Sequence, residues 1–565
     1  MDEKEKVGII LSGATTREAT CQLIEGAEKG KIYEGMLLLI TSKNKKPLLA
    51  RISQIIPYNA FYTEGDPWSE ARRKSLPIPE EIARQYEICK LDLLIELPKR
   101  EIKYPPQPGD YVIKIDPREH EKDIFGVSHN DPKFIWYGTL TGYEGAPIPL
   151  DIEKIPMHMG VFGTTGSGKS FDAGALIEKL VDIPANETTH ISFPMIIIDA
   201  NGDYLDYVDY IKEKGDFKRI GWIKRFVFPN IYRDNVNFRN EEYSEYIFPI
   251  GIDLDALSER ELAETVIMYY KGSLEGAELQ LSGIVTLLEH MEEVEGIEST
   301  HDMFLDYYPE LLRELRSFDT NRISAPTKPA IGRAFEKFRE IENKYKLLST
   351  KRRSIMTRDD FVDSITNDGG IVLIDFSEEG ATGVELQAKQ LVMTYLATIL
   401  FSKFTKYKIK EGGRYLIFLI EEAQNFVPDK SYPVASSLAK NKLSSIATQG
   451  RKFGLSLCLV TQRPSFVDRI VLSMCNTFFI HRISPEDVRY VKSVTGGLPT
   501  SLASRLTTLD QGELIITGQM NKVPFPLLIK VLHNERIVEH TAGATNVVKR
   551  LAKIRGGNDE KNKNV

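Results

Sequence analysis

The sequence predicts an α/β protein: a mostly parallel sheet with helices on both faces, interrupted by a helical insertion and preceded by a small β-barrel. Three observations predict it. Apolar runs recur at wide intervals, at 159–162, 195–199, 371–375, 415–420, 457–461, 478–481 and 514–517, with helical patterns in the gaps. Strands alternating with helices build parallel sheets covered on both sides. The opening region, up to residue 145, instead carries closely spaced apolar stretches separated by turn signals, and between 255 and 365 helical patterns alone fill the chain.

The barrel is expected over 1–145, from the stretches 7–11, 36–40, 48–55, 88–97 and 111–115. Short strands punctuated by Pro and Gly close most readily into such a domain. The proline-rich run 105–110 precedes the last of them, and 146–154, with Pro147 and Pro149, reads as the passage onward.

The α/β core opens, over 146–254, with Gly163, Thr164, Thr165, Gly166, Ser167, Gly168, Lys169 and Ser170. They match G-x-x-x-x-G-K-[ST] in full. Glycines let backbone N–H groups crowd around phosphates, Lys169 reaches the β and γ oxygens, and the Ser170 hydroxyl ligates Mg²⁺. The apolar run 159–162 before the loop and helical spacing from Ser170 to Leu180 supply the strand–loop–helix context that this chemistry needs. A nucleoside triphosphate is the expected ligand.

After the insertion at 255–365 the core resumes over 366–545. The apolar run 415–420 ends in Glu421-Glu422, which reads as a metal-supporting carboxylate followed by one that polarises the attacking water. The alternative is a solvated pair of acids at a strand end; their adjacency downstream of an intact phosphate loop favours catalysis. The next apolar run ends at Thr461-Gln462, placing a fixed amide where it can sense the γ-phosphate or orient water, with an ordinary strand exit as the competing reading. Arg451 lies between Gly450 and Gly454 at a helix end, where basic residues are favoured on dipole and capping grounds alone. Residues 546–565 read as a flexible tail.

With 565 residues and 42% hydrophobic composition the chain can bury a sizeable core. No apolar run reaches the ~18 residues of a membrane span, and the start MDEKEK lacks a signal core; a cytoplasmic protein with no membrane partner is expected. Cys21, Cys89, Cys458 and Cys475 form no C-x-x-C pair, so neither zinc nor disulfides are indicated. The net charge of −7 leaves nucleic acid open as a partner, because a ring can keep its cations in a pore. The stretch 313–358 holds thirteen basic and five acidic residues, including Arg316, Arg322, Lys328, Arg333 and 351–353; a solvated helical face is at least as good a reading as a DNA track.

The motifs together resemble the HerA family of hexameric DNA translocases, in the HerA–FtsK branch of RecA-like motors. The resemblance rests on GTTGSGKS at 163–170, IIIDANGDY at 196–204, LIEEAQNF at 419–426, GRKFG at 450–454, TQRPS at 461–465, SPEDVRYV at 484–491 and LDQGELIITG at 509–518. At the amino end GIILSGATTRE at 8–18 and PPQPGDYVIKI at 105–115 look like the family's HAS-type barrel. Two departures stand out: Glu421 replaces the usual Asp, and Met157 rather than Arg precedes His158.

The resemblance implies a RecA-like P-loop ATPase core and a homo-hexamer using ATP and Mg²⁺. Lys169 and Ser170 hold phosphate and metal, Glu421 supports the metal, Glu422 activates water, Gln462 senses the γ-phosphate, and Arg451 enters the neighbouring subunit's site as an arginine finger. It further implies double-stranded DNA as track and an effector partner: a NurA-like or other nuclease, or a sirtuin-like NAD hydrolase in phage defence. A ring scaffold that uses nucleotide chiefly to activate such an effector is the alternative.

Overall fold

The computed structural model describes residues 6–538 apart from 26–31, 42–45, 65–68, 77–84, 99, 129–130, 187, 216, 411–412 and 434–435. The expected tail, 546–565, lies outside the described residues. Two compact units emerge: residues up to Glu153 with Thr477–Glu535, and Lys154–Asn476 with the segment beginning at Arg536.

In the first unit six antiparallel strands close a barrel in the order Lys6–Ile10, Glu18–Leu23, Tyr86–Glu96, Leu48–Tyr58, Leu37–Thr41, Tyr111–Lys114. Five of these strands coincide with apolar stretches in the sequence. The sixth, Glu18–Leu23, reads EATCQL, and its mixed polarity hides it. Its Cys21 is the register partner of Cys89 on the next strand, and both are buried free thiols.

The same unit contains Thr477–Ile480, Glu513–Gly518 and Leu527–Lys530, paired antiparallel, with Thr139–Leu140 added to the last. The runs 478–481 and 514–517 therefore pair antiparallel rather than continuing the parallel alternation, and Thr477–Glu535 groups with the barrel. The link from Gly518 to Leu527 is too short for the crossover that a parallel pair needs. Buried Arg51 secures the arrangement, donating to Asp92 Oδ2 and to the Pro526 carbonyl, each at 2.9 Å. Ser501 Oγ donates to the same Asp92 oxygen at 2.6 Å.

The second unit carries seven parallel strands in the order Ile247–Pro249, Ile223–Val227, Ile371–Asp375, Met195–Asp199, Leu416–Ile420, Leu455–Thr461, Met159–Phe162. Every residue of the five central and inner strands among these, from Ile371–Asp375 to Met159–Phe162, is buried, as the continuous apolar runs require of strands covered on both faces. This is the RecA-like P-loop architecture. Two of its strands escape pattern reading: Ile223–Val227 is broken by Lys224 and Arg225, and Ile247–Pro249 has three residues.

Helices Glu259–Lys271, Glu278–Glu293 and Thr327–Tyr345 pack on one another within the insertion. The first is fixed by a capping box between Ser258 and Glu261 and ended by left-handed Gly272. Among the described residues no helix is long and apolar enough to cross a membrane.

Candidate functional site

The phosphate loop leaves the Met159–Phe162 strand at its carboxyl end, where Gly163 N–H donates to the Thr461 carbonyl. Gly166 and Gly168 take φ of 75° and 98°, values that L side chains resist. Gly168 then caps helix Lys169–Leu180 in the left-handed conformation. Among the described residues nothing lies within 4 Å of where a Cβ on Gly166 would stand, so space lies open over the loop. Ser167 is fully buried and its hydroxyl has no partner among the described residues. An orphan hydroxyl beside glycines of this geometry fits a loop shaped for a polyanion.

Two strands over, beyond Leu455–Thr461, the chain leaves Ile420 through Glu421 and Glu422. Glu422 adopts φ 47°, ψ 47°, a left-handed geometry that costs a non-glycine residue roughly 1–2 kcal/mol and concentrates at functional sites. The two carboxylates have different surroundings. Glu421 is fully buried, accepting from Tyr204 Oη at 3.1 Å and from the Ala200 N–H at 3.3 Å. Burial, and then the Asp199 charge, push its pKa well above the carboxylate range, against the opposing pull of the Lys169 ammonium. Glu422 instead accepts from Gln462 Nε2 at 2.8 Å and from Gln424 Nε2 at 2.5 Å.

Gln462 completes the link. Its Oε1 accepts the Thr165 hydroxyl at 2.9 Å, and Thr461 Oγ1 donates to Gln424 Oε1 at 2.7 Å. A hydrogen-bonded line thus runs Thr165, Gln462, Glu422, Gln424, Thr461, across three strand ends. The sequence-predicted Thr165 and Glu422 are bridged by Gln462, and Glu421 feels the Lys169 charge. Arg451 joins none of these contacts: it is exposed on the three-residue helix Arg451–Phe453, which follows a π-helix at Ile446–Gly450.

Several residues of the site escape sequence reasoning. Asp199 ends its strand fully buried and accepts N–H bonds from Asn201, Gly202, Asp203 and Tyr204; burial, then Asp375, still push its carboxyl up. Its signal was available, an acid after four buried apolar residues as at Glu421, within IIIDANGDY. Asp375 is neutralised by buried Arg225, 150 residues away, at 2.5 Å. Arg536 packs behind the phosphate-loop helix, so close that a Cβ on Gly174 would lie 2.6 Å from its guanidinium. There Glu178 accepts the Ile537 and Val538 N–H groups at 2.7 and 3.1 Å.

The family described as helicase HerA, central domain, matches residues 135–400. A probable helicase of Methanocaldococcus jannaschii, MJ1565, is 26% identical over 427 residues, 75% of this chain and 71% of its own. The DNA double-strand break repair helicase HerA of Sulfurisphaera tokodaii is 24% identical over 541 residues, 93% of this chain and 92% of its own. Residues 135–400 thus match the HerA central domain, and the chain is similar to HerA helicases over most of its length. With this similarity and an intact phosphate loop it is an ATPase. Among solved structures, the bacterial conjugative coupling protein TrwB aligns over 72% of this chain and 90% of its own at 15% identity, with a TM-score of 0.44.

Proposed function

We propose that this HerA-like chain forms a hexameric ring that hydrolyses ATP to pump double-stranded DNA, in concert with an effector. The effector is a NurA-type nuclease in DNA-end processing, or another nuclease or an NAD hydrolase in defence against phage, and it docks on the barrel. The observation that carries this reading is the line from Thr165 through Gln462 to Glu422. It joins the phosphate-binding loop to a carboxylate held by two amide donors, so that a change at the γ-phosphate reaches the base through one side chain.

Lys169 compensates the β- and γ-phosphate charge, and Glu422 takes the proton of the attacking water while the Gln462 amide orients it. Ser170 and Glu421 hold Mg²⁺, which supplies charge neutralisation on the phosphates when bound. Buried Glu421 fits that role, since a bound dication would offset the burial and the Asp199 charge that push its carboxyl up. Exposed Arg451 acts on the neighbouring subunit's nucleotide.

The test measures ATP turnover of the assembled ring with and without linear duplex DNA, and displacement of a third strand from a DNA triplex. Stimulation by duplex together with triplex displacement is expected. Effector activation by a ring that is neither stimulated nor able to displace would favour the scaffold reading.

A further inference from the structure

We infer that His158 is a positioning residue for Arg451, fixing the π-turn from which that side chain departs. The inference rests on the reading of Arg451 as a trans-acting finger.

His158 occupies the left-handed region, with φ 61°, and is 1% exposed. Its backbone is held without help from the ring: the Asn476 N–H reaches the carbonyls of Met157 and His158, both at 3.1 Å, and Ser456 Oγ donates to the Ile155 carbonyl at 2.6 Å. The imidazole is thereby aimed inward and uses both nitrogens. Nδ1 accepts the Leu457 N–H at 2.9 Å, so the ring proton sits on Nε2, which donates to the Ala447 carbonyl at 2.9 Å.

Ala447 lies in the π-helix Ile446–Gly450, which runs directly into Arg451–Phe453. At the far end Gly454, φ 89°, is pressed against Arg414, whose carbonyl oxygen would lie 1.9 Å from a Cβ there. The turn bearing Arg451 is therefore clamped on both sides, by Gly454 and by His158. A π-turn is the less stable winding and persists where other contacts hold it. Released from His158, it relaxes toward α-helical register, and a slip of one residue swings every following side chain by about 100°. Such a slip takes a guanidinium out of reach of a neighbour's phosphate.

His158 directly precedes the Met159–Phe162 strand and its ring accepts from Leu457 in the Leu455–Thr461 strand, whose far ends carry the phosphate loop and Gln462. Those ends are untouched by substitution at 158, so nucleotide binding is expected to survive it.

Asn tolerates the left-handed backbone and its Oδ1 replaces Nδ1, but it cannot reach Ala447; Gln places an amide N–H where Nε2 stood. Rings of wild type, His158→Asn, His158→Gln, Arg451→Ala and His158→Asn/Arg451→Ala are compared for kcat, KM for ATP, affinity for a fluorescent ATP analogue, and assembly by light scattering. His158→Asn is expected to lose at least about tenfold in kcat, as a misplaced catalytic group does, with analogue affinity unchanged within about twofold, and to add nothing to Arg451→Ala. His158→Gln should keep turnover within about threefold of wild type; it carries the test alone if the Asn ring fails to assemble. A loss that multiplies with Arg451→Ala, a His158→Gln ring as slow as Arg451→Ala, or an active His158→Asn ring beside an inactive Arg451→Ala ring overturns the inference while leaving the finger intact. Full turnover by Arg451→Ala overturns both.

Discussion

Gln462 donates to Glu422 at 2.8 Å while accepting the Thr165 hydroxyl at 2.9 Å, so one amide spans the gap between the phosphate loop and the base. An amide meets both demands because it is donor and acceptor at once. Gln462→Leu removes both bonds and is expected to lower kcat by roughly 10²-fold with ATP affinity retained, the range of a lost acid–base alignment. Gln462→Glu sets two carboxylates against each other, which raises the apparent pKa of the pair and moves the acid limb of the pH–rate profile upward. An unshifted limb in that variant would separate Gln462 from Glu422 in function.

Lys169→Ala leaves phosphate charge uncompensated and is expected to lose nucleotide binding and turnover together. Glu422→Gln should keep binding and lose turnover, since an amide cannot take a proton. Titration with a fluorescent ATP analogue beside phosphate release measures the two separately; wild-type hydrolysis by Glu422→Gln would remove that residue from the role.

Rings mixing Arg451→Ala with Glu422→Gln subunits should regain turnover that neither ring shows alone, because some interfaces then pair an intact Arg451 with an intact Glu422. Mixed composition is checked by mass, and turnover by phosphate release. No recovery in rings shown to be mixed returns Arg451 to a helix-capping role.

Burial, opposed in part by the Ala447 bond and reinforced by the Arg451 charge, pushes the His158 imidazole down to about 4. The unfolded chain binds this proton below about pH 6.5 while the native state refuses it until about pH 4. The contribution is fully present above pH 6.5 and is lost as pH falls toward 4, by roughly 3 kcal/mol in all. Thermal unfolding at pH 7.5 and 5 should therefore show a smaller downward shift for His158→Asn than for wild type.

Removing 1–145 takes Thr139–Leu140 from its partner strand and uncovers Pro526 and Ser501, whose contacts are Arg51 and Asp92. The fragment 146–565 is expected to unfold at lower temperature or aggregate, which makes Arg51→Ala the cleaner probe. It leaves Asp92 without its cation, though still bonded to the Ser501 hydroxyl, and should destabilise the first unit by about 3 kcal/mol, read by denaturant unfolding, while ATP affinity stays unchanged.

The sequence by itself determined the chemistry that is local along the chain. Eight contiguous residues make the phosphate loop, and an apolar run ending in Glu421-Glu422 or in Gln462 marks a strand's carboxyl end, because buried parallel strands must be apolar throughout and polar where they exit. Which strand ends become neighbours was decided only in three dimensions. The Leu416–Ile420 strand lies between Met195–Asp199 and Leu455–Thr461, and that order brings Gln462 to Glu422 and Asp199 toward Glu421. Strand order is set by how crossover helices pack on the sheet, and no local pattern records it. The same limit hid Ile223–Val227, whose Arg225 can be buried only because Asp375 waits 150 residues away, and His158, whose two partners lie 289 and 299 residues off. A buried charge or imidazole looks like a surface residue until the group that satisfies it has been folded against it.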